Sequence, residues 1–310
     1  MNTKVAFTFA EALEAHRRSF LDALRVRSYA PGTLYSHSDS ISRFFTFLAK
    51  AGIEDVRGVT RDTIRNYQTW LMAQPWSPWT RITRLQGLKR FFEHLETTDA
   101  ILVNPCLGLT LPRVGRRLPR VVLSRDEARR ILDAPDTQTH VGIRDRAILE
   151  LFYSTGIRRA EMARLTIHDI DIKNGFVRVN KGKGGKDRVV PMGEKAAAYI
   201  AEYLRHVRGE WSKKNREVRA LWLSSQHNHP QMSIPTMEML VKKYGRRAGL
   251  GKVSPHVWRH TCATHMVSNG ANLAYVQRLL GHRSLRTTQV YTRVAVPEVK
   301  ATHRKAHPRK

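Results

Sequence analysis

Residues 254–291 read SPHVWRHTCATHMVSNGANLAYVQRLLGHRSLRTTQVY. Ser254-Pro255 is a helix start: a hydroxyl that can cap the first turn, then a proline whose missing N–H costs nothing there. The helix expected over 255–268 sets His256 and Arg259 at i and i+3, on one face near its positive end, so both would point at an anion together. A second helix is expected over 272–280. Gly281 reads as its C-cap, which puts His282 at a chain reversal, and Ser284 starts a further helix over 285–294 with Tyr291 two turns in.

Two proton carriers, a guanidinium and a phenol thus fall within 36 residues, and Arg158 and Lys183 lie upstream. A phosphodiester attacked by a hydroxyl gains negative charge on its non-bridging oxygens. Guanidinium and imidazole donors fixed around the phosphorus stabilise that charge most in the transition state. Taken alone, a tyrosine beside Val290 and Val294 is ordinary core packing, because a phenol with a pKa of about 10 stays protonated at neutral pH. Arginines close by would lower that pKa and a neighbouring imidazole could take the proton, so the grouping suits a tyrosine nucleophile on a phosphodiester.

Charge names the same class of partner. Lys and Arg number 54 against 26 Asp and Glu, a formal +28 that implies a polyanion unless it serves only solubility. Residues 1–112 hold 14 basic and 10 acidic side chains, whereas 113–310 hold 40 and 16, so the polyanion is expected mainly on the C-terminal part. A membrane partner is not expected. No apolar run approaches the roughly 20 residues of a spanning helix, and the apolar start at 5–10 meets Glu11 too soon for a signal peptide. A cytoplasmic, nucleoid-associated protein is the expectation. Cys106 and Cys262 stand far apart without metal-ligand spacing and read as reduced thiols.

Apolar positions recur at helical spacing over 8–27, 33–50, 60–73 and 80–95, interrupted at Pro31-Gly32, Ala51-Gly52 and Pro75 to Pro78, which predicts a small all-helical domain over 1–112. Thr33 and Thr60 are the expected openings of its second and third helices. Trp70, Trp76 and Trp79 read as core and corner packing in preference to base stacking, since large aromatics are what a small helical unit has to bury. Residues 113–120 carry Arg113, Arg116, Arg117 and Arg120 with Gly115 and Pro119 between them, directly after Pro112. They read as an extended basic linker able to lie along a phosphate backbone.

A second domain, 121–310, begins with a helix capped by Ser124 and running to about Leu132. Helical spacing follows at 141–153 and 159–165. Phe176 to Val179 and Arg188 to Pro191 then alternate as two short strands, joined into a hairpin by the glycine-rich Lys181-Gly182-Lys183-Gly184-Gly185-Lys186. Further helices are expected at 194–208 and 236–248. Thr155-Gly156-Ile157-Arg158 ends one helix and begins another, aiming Arg158 from a tight corner where Glu161 could orient it. Lys181, Lys183 and Lys186 sit where simple phosphate contact needs no special chemistry, yet a lysine against the scissile phosphate could also protonate the departing 5′ oxygen. His256 and His260 could make an i, i+4 metal pair, but Arg259 between them would repel the cation and no carboxylate completes the pattern, so no metal is expected. His227 and His229 read as loop residues.

At this point the chain resembles the tyrosine recombinases or phage integrases, most closely their compact Xer-like members, over nearly its whole length. The resemblance is carried by Thr155-Gly156-Ile157-Arg158-Arg159-Ala160-Glu161, by Gly182-Lys183-Gly184-Gly185-Lys186-Asp187-Arg188 and by 256–265. Leu280-Gly281-His282 and Thr287-Thr288-Gln289-Val290-Tyr291 complete it, in family order and spacing. It implies a mostly α fold with a small β-sheet: an N-terminal helical core-binding (SAM-like) domain and an α+β catalytic domain closing as a C-shaped clamp on duplex DNA.

Carried over residue by residue, it implies that Arg158 and Arg259 grip the phosphate and Tyr291 attacks it. Lys183 would be the acid, with Lys181 a neighbour that could blur that assignment. His256 would accept a proton, His282 donate to the phosphate, and Glu161 support. Lys181, Lys186, Arg116, Arg117 and Arg120 are further candidate DNA contacts. Trp258 in place of a leucine and Ala160 in place of a serine touch packing rather than chemistry.

The implied reaction is site-specific recombination of double-stranded DNA through a 3′-phosphotyrosyl intermediate and a Holliday junction. The resemblance implies no metal, ATP or other cofactor. A homotetramer on paired sites is implied, with a paralogous recombinase or accessory protein as a possible further partner. A type IB-like topoisomerase and a non-catalytic DNA-binding regulator are the rival readings.

Overall fold

The computed structural model describes residues 3–112, 122–180, 187–213, 217–226, 231–251 and 253–281. The chain divides into two compact units, Met1–Arg116 and Arg117–Lys310. The fold is mostly α-helical with one small sheet, as the spacing of apolar positions predicts.

Among the described residues of the first unit are four α-helices: α1 (Thr3–Val26), α2 (Pro31–Lys50), α3 (Arg61–Ala73) and α4 (Pro78–Thr97). Thr60 caps α3 in a reciprocal box with Thr63, as expected. Thr33 does not open α2. The helix begins at Pro31, behind an Ala30 that makes no side-chain cap, because proline's fixed φ already suits the first turn. Pro78 opens α4 in the same way behind Ser77. The helical run is broken before each of these prolines, at 27–30 and 74–77, so that Pro31 and Pro78 belong to the helices and not to the interruptions.

At Gly87 α4 lies close against α2; a Cβ there would come within 2.9 Å of Ser40 Cβ and 3.2 Å of His37 Nδ1. The core is aromatic. Phe44 meets Tyr67 edge-on at 4.9 Å and Phe92 at 5.7 Å, and Phe20 meets Phe91 at 5.7 Å. Trp70 stacks on Tyr67 and Trp76 stands edge-on to Trp70, with the Arg84 guanidinium 3.6 Å above the Trp76 ring. Trp79 departs from the packing expectation and is 60 % exposed, in the first turn of α4, before that helix reaches the core at Ile82.

In the second unit α5 (Arg125–Asp133) and α6 (His140–Thr155) precede a short α7 (Arg159–Arg164). A three-stranded antiparallel sheet follows, β1 (Ile170–Asp171), β2 (Phe176–Val179) and β3 (Arg188–Pro191), in that order. The hairpin strands fall where alternation puts them, with Val177 opposite Val190 and Val179 opposite Arg188. β1, two residues long, is too short to show a period. The loop 181–186 lies outside the described residues, as does 285–294 with its expected helix.

The helix α8 (Glu194–Tyr203) passes through a π-turn at Leu204–Arg208 into α9 (Gly209–Trp211). Then come α10 (Ile234–Arg247), α11 (Pro255–Ser268) and α12 (Leu273–Leu280). α6 is the central helix and is buried nearly all round, Ala147 to Phe152 included. It also buries charge: Asp145 accepts from Arg144 Nε at 2.9 Å and Nη2 at 2.7 Å, and Tyr244 of α10 donates to its other oxygen at 2.9 Å. Cys106 and Cys262 are free and buried, and burial pushes both thiols up to about 12.

Candidate active site

α6 stops at Gly156, whose φ of +59° is left-handed backbone that favours glycine. The position is also crowded, since a Cβ there would lie 2.9 Å from Leu280 Cδ2 and 3.3 Å from Cys262 Sγ. That close approach brings the end of α6 against α11 and α12. Two residues on, Arg158 caps α7 with its backbone: its N–H donates to Glu161 Oε2 at 2.8 Å, and its Nη1 donates to Oε1 at 2.7 Å. The carboxylate therefore fixes both the backbone and the guanidinium of Arg158.

A second arginine closes on the same carboxylate from the sheet. Arg188, first residue of β3, donates from Nη1 to Glu161 Oε1 at 3.0 Å and from Nη2 to Oε2 at 2.8 Å. Burial by itself would raise the Glu161 pKa, but the hydrogen bonds from Arg188 and Arg158 outweigh it and hold the carboxyl down at about 2. Glu161 is thus a permanent anion shared by two guanidiniums.

The last turn of α12 gathers the arginines. Leu279 O accepts from Arg188 Nε at 3.1 Å, Leu280 O from Arg259 Nη2 at 2.5 Å and Gly281 O from Arg158 Nη2 at 3.2 Å. Carbonyls at a helix C-terminus lack intrahelical partners and stand at the negative end of the dipole, so three consecutive oxygens make a template for three cations. Arg259, buried on α11, also donates from Nη1 to Gly156 O at 2.8 Å. Arg158 and Arg259, about a hundred residues apart in the chain, are thereby held on adjacent carbonyls.

His256 lies one turn before Arg259 on α11, whose start is capped by Ser254 as its Ser-Pro pair predicts. The residue is exposed, yet partial desolvation, then the charges of Arg159 and Arg259, lower its pKa. That shift favours the neutral imidazole, the form able to accept a proton. His260 is shifted the same way by burial, then by His256 and Arg259. Among the described residues no group of three or more His, Cys, Asp or Glu side chains converges as a metal ion would require.

Of the residues singled out in the sequence, Arg158, Glu161 and Arg259 are brought together and His256 stands beside them. Lys181, Lys183, Lys186, His282, Tyr291, Arg116, Arg117 and Arg120 lie outside the described residues, and so do His227 and His229. The described chain ends one residue short of His282, at a Gly281 with φ of +63° that acts as the expected C-cap. The root of the hairpin is described on both sides: Asn180 donates to Asp169 Oδ1 at 2.5 Å, and Arg188 holds Glu161. Sequence reasoning named Arg188 only as the start of a strand and the end of the motif Gly182 to Arg188. Its ionic role had one available signal, a cation at the start of a strand facing a core otherwise built from valines.

The family model described as "Phage integrase family" matches residues 121–298, and that described as "Phage integrase, N-terminal SAM-like domain" matches 17–101. Tyrosine recombinase XerC 2 of Ralstonia nicotianae is 38 % identical over 303 residues, covering 96 % of this chain and 85 % of the relative. Tyrosine recombinase XerD of Pseudomonas putida is 36 % identical over 292 residues, covering 94 % and 96 %. In fold, the chain is similar to the XerH site-specific recombinase bound to its palindromic difH substrate, with a TM-score of 0.71 and 21 % identity, covering 89 % of this chain and 81 % of that one. Two family models that between them take in both units, and relatives matched almost end to end, place this chain in the phage integrase family, the tyrosine recombinases.

Proposed function

We propose that this protein is a site-specific recombinase that breaks and rejoins double-stranded DNA through a 3′-phosphotyrosyl intermediate. The observation that carries the reading is the seating of Arg158 and Arg259 on adjacent carbonyls of α12, immediately before His282 and ten residues before Tyr291. In this reading the two guanidiniums grip the non-bridging oxygens of the scissile phosphate. The Tyr291 oxygen attacks the phosphorus and its proton passes to His256, whose neutral form its surroundings favour. Lys183 protonates the departing 5′ oxygen and His282 adds a donor to the phosphate. Glu161 orients Arg158.

The enzyme–DNA ester keeps the energy of the phosphodiester it replaces, so the 5′ hydroxyl of another strand reverses the step without ATP. Exchange through a Holliday junction then needs paired sites and four protomers. Arg116, Arg117, Arg120, Lys181 and Lys186 add contacts to the DNA phosphates. The protein acts at the nucleoid, and a paralogous recombinase or an accessory protein is a further partner. No helix among the described residues is long and apolar enough to cross a membrane.

The test is a duplex nicked near the cleavage position, which traps the covalent intermediate. Wild-type protein is expected to form an adduct, and Tyr291→Phe to bind the site without forming one. Adduct formation by that variant would remove Tyr291 from its role. The topoisomerase reading finds no support among the relatives; relaxation of any supercoiled plasmid without paired sites would revive it. DNA binding with no cleavage by the intact protein would favour the regulator.

A further inference from the structure

A carboxylate is an effective way to aim Arg158, but it places a negative charge beside the site where a negatively charged phosphodiester must bind. Glu161 accepts four N–H donors, Arg158 N and Nη1 and Arg188 Nη1 and Nη2, which fill the four lone-pair positions of a carboxylate. Two guanidiniums and one carboxylate leave the trio with a single positive charge, and without Arg188 that charge would vanish.

We propose that Arg188 is a positioning residue of the phosphate site: it cancels the charge of Glu161, so that Arg158 presents its own charge to the phosphate. The inference rests on the reading of Arg158 as a phosphate ligand. Three placements support it beyond the ion pair. Arg188 Nε donates to Leu279 O, the carbonyl next to the one that holds Arg259. A Cβ on Gly281 would lie 3.3 Å from Arg188 Nε and 3.4 Å from its Cζ, so the guanidinium packs under the residue that leads into His282. And Arg188 pairs with Val179 at the root of the hairpin whose turn carries Lys183. One side chain thus joins the segments bearing Arg158, Lys183 and His282. Arg188 is mostly buried, so its donors are committed to these partners and are not spread over solvent.

The experiment is a double-mutant cycle on the rate of adduct formation, at saturating nicked DNA, with wild type, Arg188→Gln, Glu161→Gln and the double variant. Arg188→Gln should slow cleavage by about tenfold or more, the scale of a weakened transition-state donor. In the Glu161→Gln background the same change should slow it by less than about twofold, since no carboxylate charge remains to be cancelled. Arg188→Lys gives up the fork but keeps the charge that cancels Glu161, and on charge alone it should recover cleavage to within about threefold of wild type. Equal slowing in both backgrounds, or none in the first, overturns the proposal, because a merely structural tie to Leu279 acts whatever residue stands at 161. Should Arg188→Gln fail to fold, Arg188→Lys decides: a loss of about tenfold or more in that variant overturns it. A wild type that makes no adduct sinks the reading of the site as well, whereas an active wild type with equal slowing in the two backgrounds sinks this inference alone.

Discussion

The first unit is closed by a run of rings, Phe20, Phe91, Phe92, Phe44, Tyr67 and Trp70, whereas the second is threaded by buried ionic groups, Arg144 with Asp145, Arg146 with Glu150, and Glu161 with its two arginines. Ring packing stabilises through area and shape and tolerates substitution by side chains of similar volume. Buried ions are different: desolvation offsets much of their attraction, and they persist where the direction of a charged group matters. The aromatic unit needs only to be rigid. The ionic unit has to hold Arg158, Arg188 and Arg259 against their mutual repulsion, and it does so with Glu161 on α7 and the carbonyls at the end of α12.

The sharpest way to break the contrast is to damage each core in its own currency. Phe92→Ala should cost the first unit about 3–5 kcal/mol through the cavity it leaves. Asp145→Ala should cost the second about 3–5 kcal/mol by stranding the Arg144 guanidinium and the Tyr244 hydroxyl. Urea unfolding followed by tryptophan fluorescence and by hydrogen exchange should assign each loss to its own unit. Equal losses in both units from either change would mean that the two cores are not independent.

Acid should then separate the units. The Glu161 carboxyl is depressed from 4.5 to about 2, so its stabilisation is full above the unfolded value and is lost as pH falls through about 2. By linkage that loss is roughly 3 kcal/mol, confined to the second unit. Glu161→Gln should flatten the dependence of that unit's stability on pH between about 4.5 and 2, and an unchanged slope would show that the carboxylate is not held as described.

A smaller effect is expected at Gly281. Alanine there must adopt a φ of +63° and press on the Arg188 guanidinium, and it should cost about 1–2 kcal/mol while slowing adduct formation. A Gly281→Ala variant as stable as wild type would place Arg188 elsewhere. Thermal melting of the second unit reads the difference.

The helices of the first unit and the hairpin strands were legible because period and caps are local: Thr60, Ser124 and Ser254 cap where a reader of the chain would put them. Pro31 and Pro78 misled because a proline breaks a helix inside and starts one at its first turn, and the sequence alone does not say which. Trp79 misled because helical spacing says which face a residue occupies but not whether the core extends that far. In the site, Arg158, Glu161 and Arg259 were legible as residue types at motif spacing. Their anchors were not, since backbone carbonyls of Leu279, Leu280 and Gly281 carry no side-chain signature.

The sequence by itself determined the two-unit helical plan, the basic second half and the family to which the chain belongs, because cap chemistry, apolar period and motif order are properties of neighbours along the chain. Only the tertiary structure decided that Arg188 shares Glu161 with Arg158 and that three arginines rest on three successive carbonyls of α12. Those contacts join residues 21 to 123 positions apart, and a hydrogen bond's strength depends on distance and angle that folding alone supplies.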